Sequence, residues 1–141
     1  MIFLNRHVNV SRETMTTEKQ NIGKLGEDIA VQYLKNKGYS ILARNYHKPW
    51  GEIDVIAEKK GTLVFIEVKT QKAGFEWRPE ENVNRHKKAQ LSRIINTYLK
   101  DSQVRGIINQ ETDWQIDVLA IELDFNSNNA HVEHIENILL S

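Results

Sequence analysis

Two apolar segments joined by a short turn constrain this chain more than anything else in it. The first is Gly51-Glu52-Ile53-Asp54-Val55-Ile56-Ala57 and the second Thr62-Leu63-Val64-Phe65-Ile66-Glu67-Val68-Lys69-Thr70. Lys59-Lys60-Gly61 lies between them with the chemistry of a turn, so the pair reads as a β-hairpin. Side chains alternate faces along a strand. In the second strand Val64, Ile66 and Val68 therefore share one face, and Phe65, Glu67 and Lys69 the other. The same rule sets Ile53, Val55 and Ala57 together in the first strand, opposite Glu52, Asp54 and Ile56. Strands this apolar belong where both faces are covered, and charged groups seldom go there unpaired. An acid and an ammonium two residues apart in such a strand need a reason.

A metal-dependent site supplies one. If the hairpin brings Asp54 and Glu67 within about 4 Å, their repulsion is of order 4 kcal/mol at an effective dielectric near 20. Such a pair takes up a proton or holds a cation. Hard oxygen ligands favour Mg²⁺ or Mn²⁺, which keep several waters and readily add phosphate oxygens. The Val68 carbonyl, between Glu67 and Lys69, is a candidate further ligand. A cation held there polarises a phosphoryl oxygen and generates a hydroxide nucleophile. Lys69 would orient or deprotonate the attacking water, or stabilise the developing charge. The plainer reading is an ordinary sheet with a Glu67–Lys69 ion pair, because Glu-x-Lys alone is common. Its company raises it: an aspartate on the adjoining strand, continuous apolar flanks, and Gly26-Glu27 on a helix upstream.

That helix follows Thr17-Glu18-Lys19-Gln20, which has the form of a capping box with Thr17 as N-cap. Ile22, Leu25, Gly26, Ile29, Tyr33 and Leu34 fall at helical spacing, and Gly38 offers a left-handed stop. Glu27 beside this stripe is either a solvated helix glutamate or a carboxylate turned toward the sheet, Gly26 letting the backbone approach closely. Residues 1–16 are polar without sustained periodicity and read as a flexible tail, with Met15 as an alternative start. Tyr39–Tyr46 reads as an opening strand, His47–Trp50 as a loop, and Gln71–Glu81 as a second, mobile loop. A second helix runs from Asn82 or Asn84 to Lys100, with Leu91, Ile94, Ile95 and Tyr98 as its buried stripe. Continued back one turn, the stripe reaches Lys87. Arg85, Lys87, Lys88 and Arg93 make this half the most basic stretch of the chain, either a solvated face or a phosphate-contacting surface. Asp101–Asp113 is a connector, and strands over Gln115–Leu123 and Ala130–Leu139 close the order. Helix, three strands, helix, two strands describe an α/β or α+β domain with a central mixed sheet.

At 141 residues the chain fits a single domain over 17–141 beyond the tail. Cysteine is absent, which removes a disulfide framework, a thiol nucleophile and cysteine-ligated zinc, and fits a reducing cytoplasm. No apolar run approaches membrane-spanning length, so a cytoplasmic location without membrane contact is expected. The formal net charge is zero, so affinity for nucleic acid must come from a local basic patch.

Gly23-Lys24-Leu25-Gly26-Glu27, Gly38-Tyr39, Arg44-Asn45-Tyr46, Gly51-Glu52-Ile53-Asp54 and Phe65-Ile66-Glu67-Val68-Lys69 together resemble the YraN family of small bacterial proteins. The match runs from about Ile22 to Ile121 with the motifs in order. That family is similar in turn to the restriction-endonuclease-like superfamily, including archaeal Holliday-junction resolvases. The resemblance implies an αβββαβ core with a central mixed β-sheet flanked by helices, and a PD-(D/E)-x-K site. It gives Asp54 the role of the motif aspartate, Glu67 that of its acidic partner and Lys69 that of its lysine. Glu27 corresponds to the helix glutamate that often joins the metal site, and Lys87 to a recurrent lysine of the second helix. Ile53 stands where the superfamily motif has proline, and Gln71 where a basic residue is common.

The expected function is a Mg²⁺- or Mn²⁺-dependent endonuclease acting on DNA, including branched or structured DNA. Asp54, Glu67, Val68 and Glu27 would hold the metal, and a homodimer is a possible assembly. The alternative is a non-catalytic module that binds nucleic acid through Arg85, Lys87, Lys88 and Arg93. A third reading is a scaffold that meets a protein partner through Trp50 and Trp77.

Overall fold

The computed structural model describes residues 3–9, 19–74, 85–106, 108–109 and 111–138. The elements in chain order are β1 (Phe3–Asn9), α1 (Lys19–Asn36), β2 (Ser40–Lys48), β3 (Gly51–Lys59), β4 (Thr62–Lys72), α2 (Arg85–Val104), β5 (Trp114–Asp124) and β6 (Asn129–Ile135). The six strands form one sheet in the order β1-β6-β5-β4-β3-β2. Every neighbouring pair is antiparallel except β4 and β5, which are parallel and connected by α2. A parallel pair needs such a crossover, and the helix brings its own apolar stripe to one face of the sheet. The expected α/β core of helix, three strands, helix and two strands is therefore present, with one more strand added at its edge.

The two helices cover opposite faces. On one, Leu25, Ile29, Ala30, Tyr33 and Leu34 of α1 pack with Val55, Ala57, Val64, Ile66, Leu119 and Ile121. On the other, Leu91, Ile94, Ile95 and Tyr98 of α2 pack with Ile56, Leu63, Phe65, Ile116 and Val118. Strands β4 and β5 thus have both faces buried, which accounts for their nearly unbroken apolar sequence.

Local signals act as their chemistry dictates. Lys60 and Gly61 both take positive φ and form the two-residue link between the paired ends Lys59 and Thr62. That is the turn whose twist suits a hairpin. Helix α1 stops at Gly38, with φ of 90°, and the Tyr39 amide donates to the Leu34 carbonyl as in a Schellman motif. The backbone of α1 also lies against β4 at Gly26, where a methyl group would overlap the Thr70 side chain.

Several boundaries differ from the sequence reading. Phe3–Asn9, expected in a tail, pairs with β6 as an edge strand. Hydrogen bonding to one neighbour asks for little apolar periodicity, so the sequence carried no sign of it. His47 and Lys48 belong to β2, and Gln71 and Lys72 to β4, rather than to the loops that follow. Helix α2 runs on to Val104, one turn beyond Lys100, burying Ser102, while β6 ends at Ile135. Ile53 packs with Ile56 on the α2 face, not with Val55 and Ala57 on the other, so strict alternation breaks at Asp54. Thr17, Asn82, Asn84 and Trp77 lie outside the described residues.

Two outcomes follow from this packing. Gly26→Ala should lower the thermal midpoint by several degrees, because overpacking typically costs about 1–3 kcal/mol; replacing Thr70 by Ala in the same chain should recover part of it. A chain that begins at Met15 lacks β1 and leaves β6 as an open edge. Calorimetry should show it less stable than the full chain.

Candidate functional site

The pairing of β3 with β4 runs from Lys59↔Thr62 to Val55↔Ile66 and stops there. Both strands continue, each held by its other neighbour. β3 stays on β2 as far as Gly51, and β4 stays on β5 as far as Lys72. The sheet therefore forks at Asp54 and Glu67. At the fork the Val68 amide has lost its ladder partner, and it donates instead to Asp54 Oδ2 at 2.8 Å. In an antiparallel strand the N–H and C=O of one residue point to the same side. The Val68 carbonyl consequently faces the same gap as its amide, beside the Asp54 carboxylate.

Glu67 stands on the other prong and is only 6% exposed. Its Oε1 accepts from Lys69 Nζ at 3.3 Å and from Lys87 Nζ at 3.1 Å. The ion pair of the plainer reading is thus formed, and the first turn of α2 adds a second ammonium to it. This is the inward placement that the α2 stripe predicted for Lys87. Two cations on a single oxygen offset the cost of burying that carboxylate.

Among the described residues, no cation forms an ion pair with Asp54. Burial first, then the negative charge of Glu67, push its carboxyl up to about 7, against the single opposing hydrogen bond from Val68. Glu27 and Glu52 add smaller repulsions of the same sign. Near neutrality a carboxyl placed this way exchanges a proton for a cation with little penalty.

Glu27 is half-buried, one residue beyond the close approach of α1 to Thr70. Burial raises its carboxyl, while Arg44 and a hydrogen bond to Asn45 act in the opposite direction. Its nearest partners are therefore on β2. The adjacent Asp28 accepts from Arg44 at 2.7 Å, which fastens this turn of α1 to the outer strand. The fork thus has Asp54, Glu67 and Lys69 at its centre, Lys87 over one face and Glu27 toward β2.

The basic residues divide. Lys87 turns to the fork, and Arg93 lies over the Trp50 ring, 5.5 Å from its centre. Lys88 is half-buried near the start of α2, and the side chain of Arg85 lies outside the described residues.

A second polar cluster was not anticipated as a unit. Asp117 and His134, on β5 and β6, are buried on the α1 face, and His134 Nε2 donates to Asp117 Oδ2 at 2.7 Å. The Tyr33 hydroxyl meets His134 Nδ1 at 3.2 Å, and the Gln115 side chain and Asn137 amide each donate to Asp117 Oδ1 at 2.9 Å. Burial, then Asp117 and Glu136, hold the Tyr39 hydroxyl well above its ordinary range. Among the described residues, Asp117, His134 and Glu136 form the one group of three acid or histidine side chains whose ligand atoms lie within 4.8 Å of one another. Hydrogen bonds already occupy both nitrogens of His134. The signal for this cluster was an Asp and a His at core positions of neighbouring apolar strands, the same anomaly that marked Glu67.

A mixed-sheet α/β domain with an acid–lysine fork is the class that this geometry defines. The profile of the Uncharacterised protein family UPF0102 matches residues 26–121, which include the fork, α1 from Gly26 on, and all of α2. Relatives named UPF0102 protein extend the match. The chain is 40% identical to one from Alkaliphilus oremlandii over 84% of its own length and 97% of the relative's. It is 34% identical to one from Desulfosudis oleivorans over 79% and 97%, and 33% identical to one from Fervidobacterium nodosum over 98% and 96%. The chain belongs to the UPF0102 family, which is the YraN family that its motifs resemble. Among the described residues no helix is long and apolar enough to cross a membrane.

The raised Asp54 carboxyl sets a stability profile in metal-free buffer. Folded Asp54 keeps its proton up to about pH 7, whereas an unfolded aspartate loses it near 4. Stability is therefore lost as pH rises through this window. Asp54→Asn removes the penalty, so thermal unfolding with a chelator should find it more stable than wild type at pH 8 and equal at pH 4.

Proposed function

We propose that this protein is a divalent-metal-dependent phosphodiesterase acting on DNA. One observation carries the reading: where β3 leaves β4, the Asp54 carboxylate binds the Val68 amide and is thereby fixed beside the Val68 carbonyl, with Glu67 across the gap. Aspartate, glutamate and carbonyl oxygens are hard donors that fit Mg²⁺ or Mn²⁺. Asp54, Glu67 and the Val68 carbonyl would hold such an ion, which would supply Lewis-acid polarisation of a phosphoryl oxygen and a water of lowered pKa. Glu27, toward β2, would add a further negative charge near such an ion.

The remaining steps fall to the chain's own groups. Lys69 shares the strand face of Glu67 and orients the attacking water, or meets the charge that develops on the phosphoryl oxygens. Lys87, a half-buried ammonium at the start of α2 that pairs with Glu67, binds a non-bridging phosphate oxygen. With Arg93 it draws the backbone of the substrate against α2. The likeness of these motifs to the restriction-endonuclease-like PD-(D/E)-x-K pattern supports the same assignment, though fold alone does not carry a function.

Plasmid, linear and branched DNA incubated with Mg²⁺ or Mn²⁺ should be cut. Asp54→Ala and Glu67→Ala should each lower the rate on the order of a hundredfold or more. Unchanged activity in both variants would remove this site from the chemistry.

One observation favours a second reading. Lys69 and Lys87 both form ion pairs with Glu67, which is an arrangement that a site kept only for binding would use. That protein holds nucleic acid in a salt-sensitive manner and needs no divalent ion. Titration with Mn²⁺ separates the two: the enzyme loses affinity on Asp54→Asn, whereas the binding module shows no Asp54-dependent affinity to lose.

A further inference from the structure

A cleft of about 750 Å³ lies between the β2–β3 turn and α2. His47, Lys48, Trp50 and Glu52 line one side and Lys87 and Arg93 the other. Three permanent cations, of which Lys87 is already paired with Glu67, line the cleft with one carboxylate in a chain whose overall charge is zero. The cleft is joined to the fork at both walls. Lys87, on its α2 wall, is bound to Glu67, and Glu52, on its β3 wall, is two residues from Asp54.

Trp50 is the unusual member. It is 39% exposed, yet its orientation is fixed: the indole Nε1–H donates to Thr97 Oγ1 at 3.2 Å, and the Arg93 guanidinium lies against the ring. The Thr97 hydroxyl in turn donates to the Arg93 carbonyl at 3.1 Å. A rigid, partly exposed indole among cations is the arrangement that takes an unstacked base while its phosphates meet lysine and arginine. A blunt duplex keeps its bases stacked inside and offers such a ring nothing. The volume suits a ligand the size of one or two nucleotides rather than a double helix.

We infer that this cleft holds a single-stranded stretch of polynucleotide, one base resting on Trp50 and the flanking phosphates on Lys48, Lys87 and Arg93. The inference rests on the phosphodiesterase reading of the fork and adds the substrate's form. The strand enters along the β2–β3 turn and passes Lys87, so the bond that reaches Asp54 and Glu67 lies beside an unpaired segment. The preferred substrate carries a flap, gap or overhang at the point of cleavage.

Fluorescence anisotropy tests it on the full chain, with Ca²⁺ replacing Mg²⁺ to suppress cutting. The probes are labelled single strands of about 12 nucleotides, within the span such sites accommodate, and a blunt duplex of matched sequence. DNA and RNA strands run side by side identify the sugar. Wild type should bind the single strand more tightly than the duplex. Trp50→Ala should weaken single-strand binding about tenfold and leave duplex binding within about twofold. Trp50→Phe keeps an aromatic face and should stay within about threefold of wild type. Lys48→Gln should reduce the salt slope for single strands by about 0.7. Unaltered Mn²⁺ affinity in Trp50→Ala reports that the fork is intact.

Trp50→Ala binding the single strand as wild type does, or losing single strand and duplex equally, overturns the inference. Asp54-dependent cleavage that is the same in wild type and Trp50→Ala overturns it while leaving the phosphodiesterase reading in place. Failure of wild type to bind or cut any polynucleotide overturns both.

Discussion

The hydrogen bond from the Val68 amide to the Asp54 carboxylate determines where this sheet ceases to be continuous. A buried amide that loses its ladder partner must find another acceptor, because leaving it unpaired costs about 1–3 kcal/mol. β3 turns away from β4 at this point, and the Asp54 side chain substitutes for the absent backbone carbonyl. One contact therefore marks the end of the β3–β4 ladder and holds an acid in the gap, within reach of the negative charge of Glu67. The strain of that arrangement is electrostatic and sits on Asp54, while the surrounding strands hold it through the β2 and β5 ladders.

The two polar clusters of the interior show how differently buried charge can be treated. Asp117 receives hydrogen bonds from His134, Gln115 and the Asn137 amide. That network binds β5, β6 and the segment after β6 to Tyr33 of α1, and it reads as a fastening. At the fork the compensation is lopsided, since Glu67 takes two lysines and Asp54 a lone amide. Functional sites commonly carry this kind of unresolved demand.

Much of this was legible in the sequence because the relevant signals are local. Lys60-Gly61 and Gly38 announce positive φ, and the stripes of α1 and α2 announce their buried faces, including the inward Lys87. Gly26 beside Glu27 announced a close approach, which Thr70 provides. The misses are non-local. Ile53 changes face because β3 twists out of its partnership with β4, and no period within β3 encodes the partner's departure. β1 is held by backbone pairing along one edge, which leaves little trace in residue type. Asp117 and His134 are unremarkable separately and acquire meaning only once β5 and β6 are placed side by side.

The pairing of β1 with β6 joins the first and last strands of the described chain. Closing a loop that long gains nothing until nearly all of the sequence between has been ordered. The β3–β4 hairpin, by contrast, closes over two residues, an event of about 1–10 μs. On this topology the fork, α2 and the β4–β5 pair assemble ahead of the outer edge, and β1 docks late onto a centre already built. The order of assembly thus runs from the fork outward, and the last strand to arrive shields a finished sheet rather than creating one.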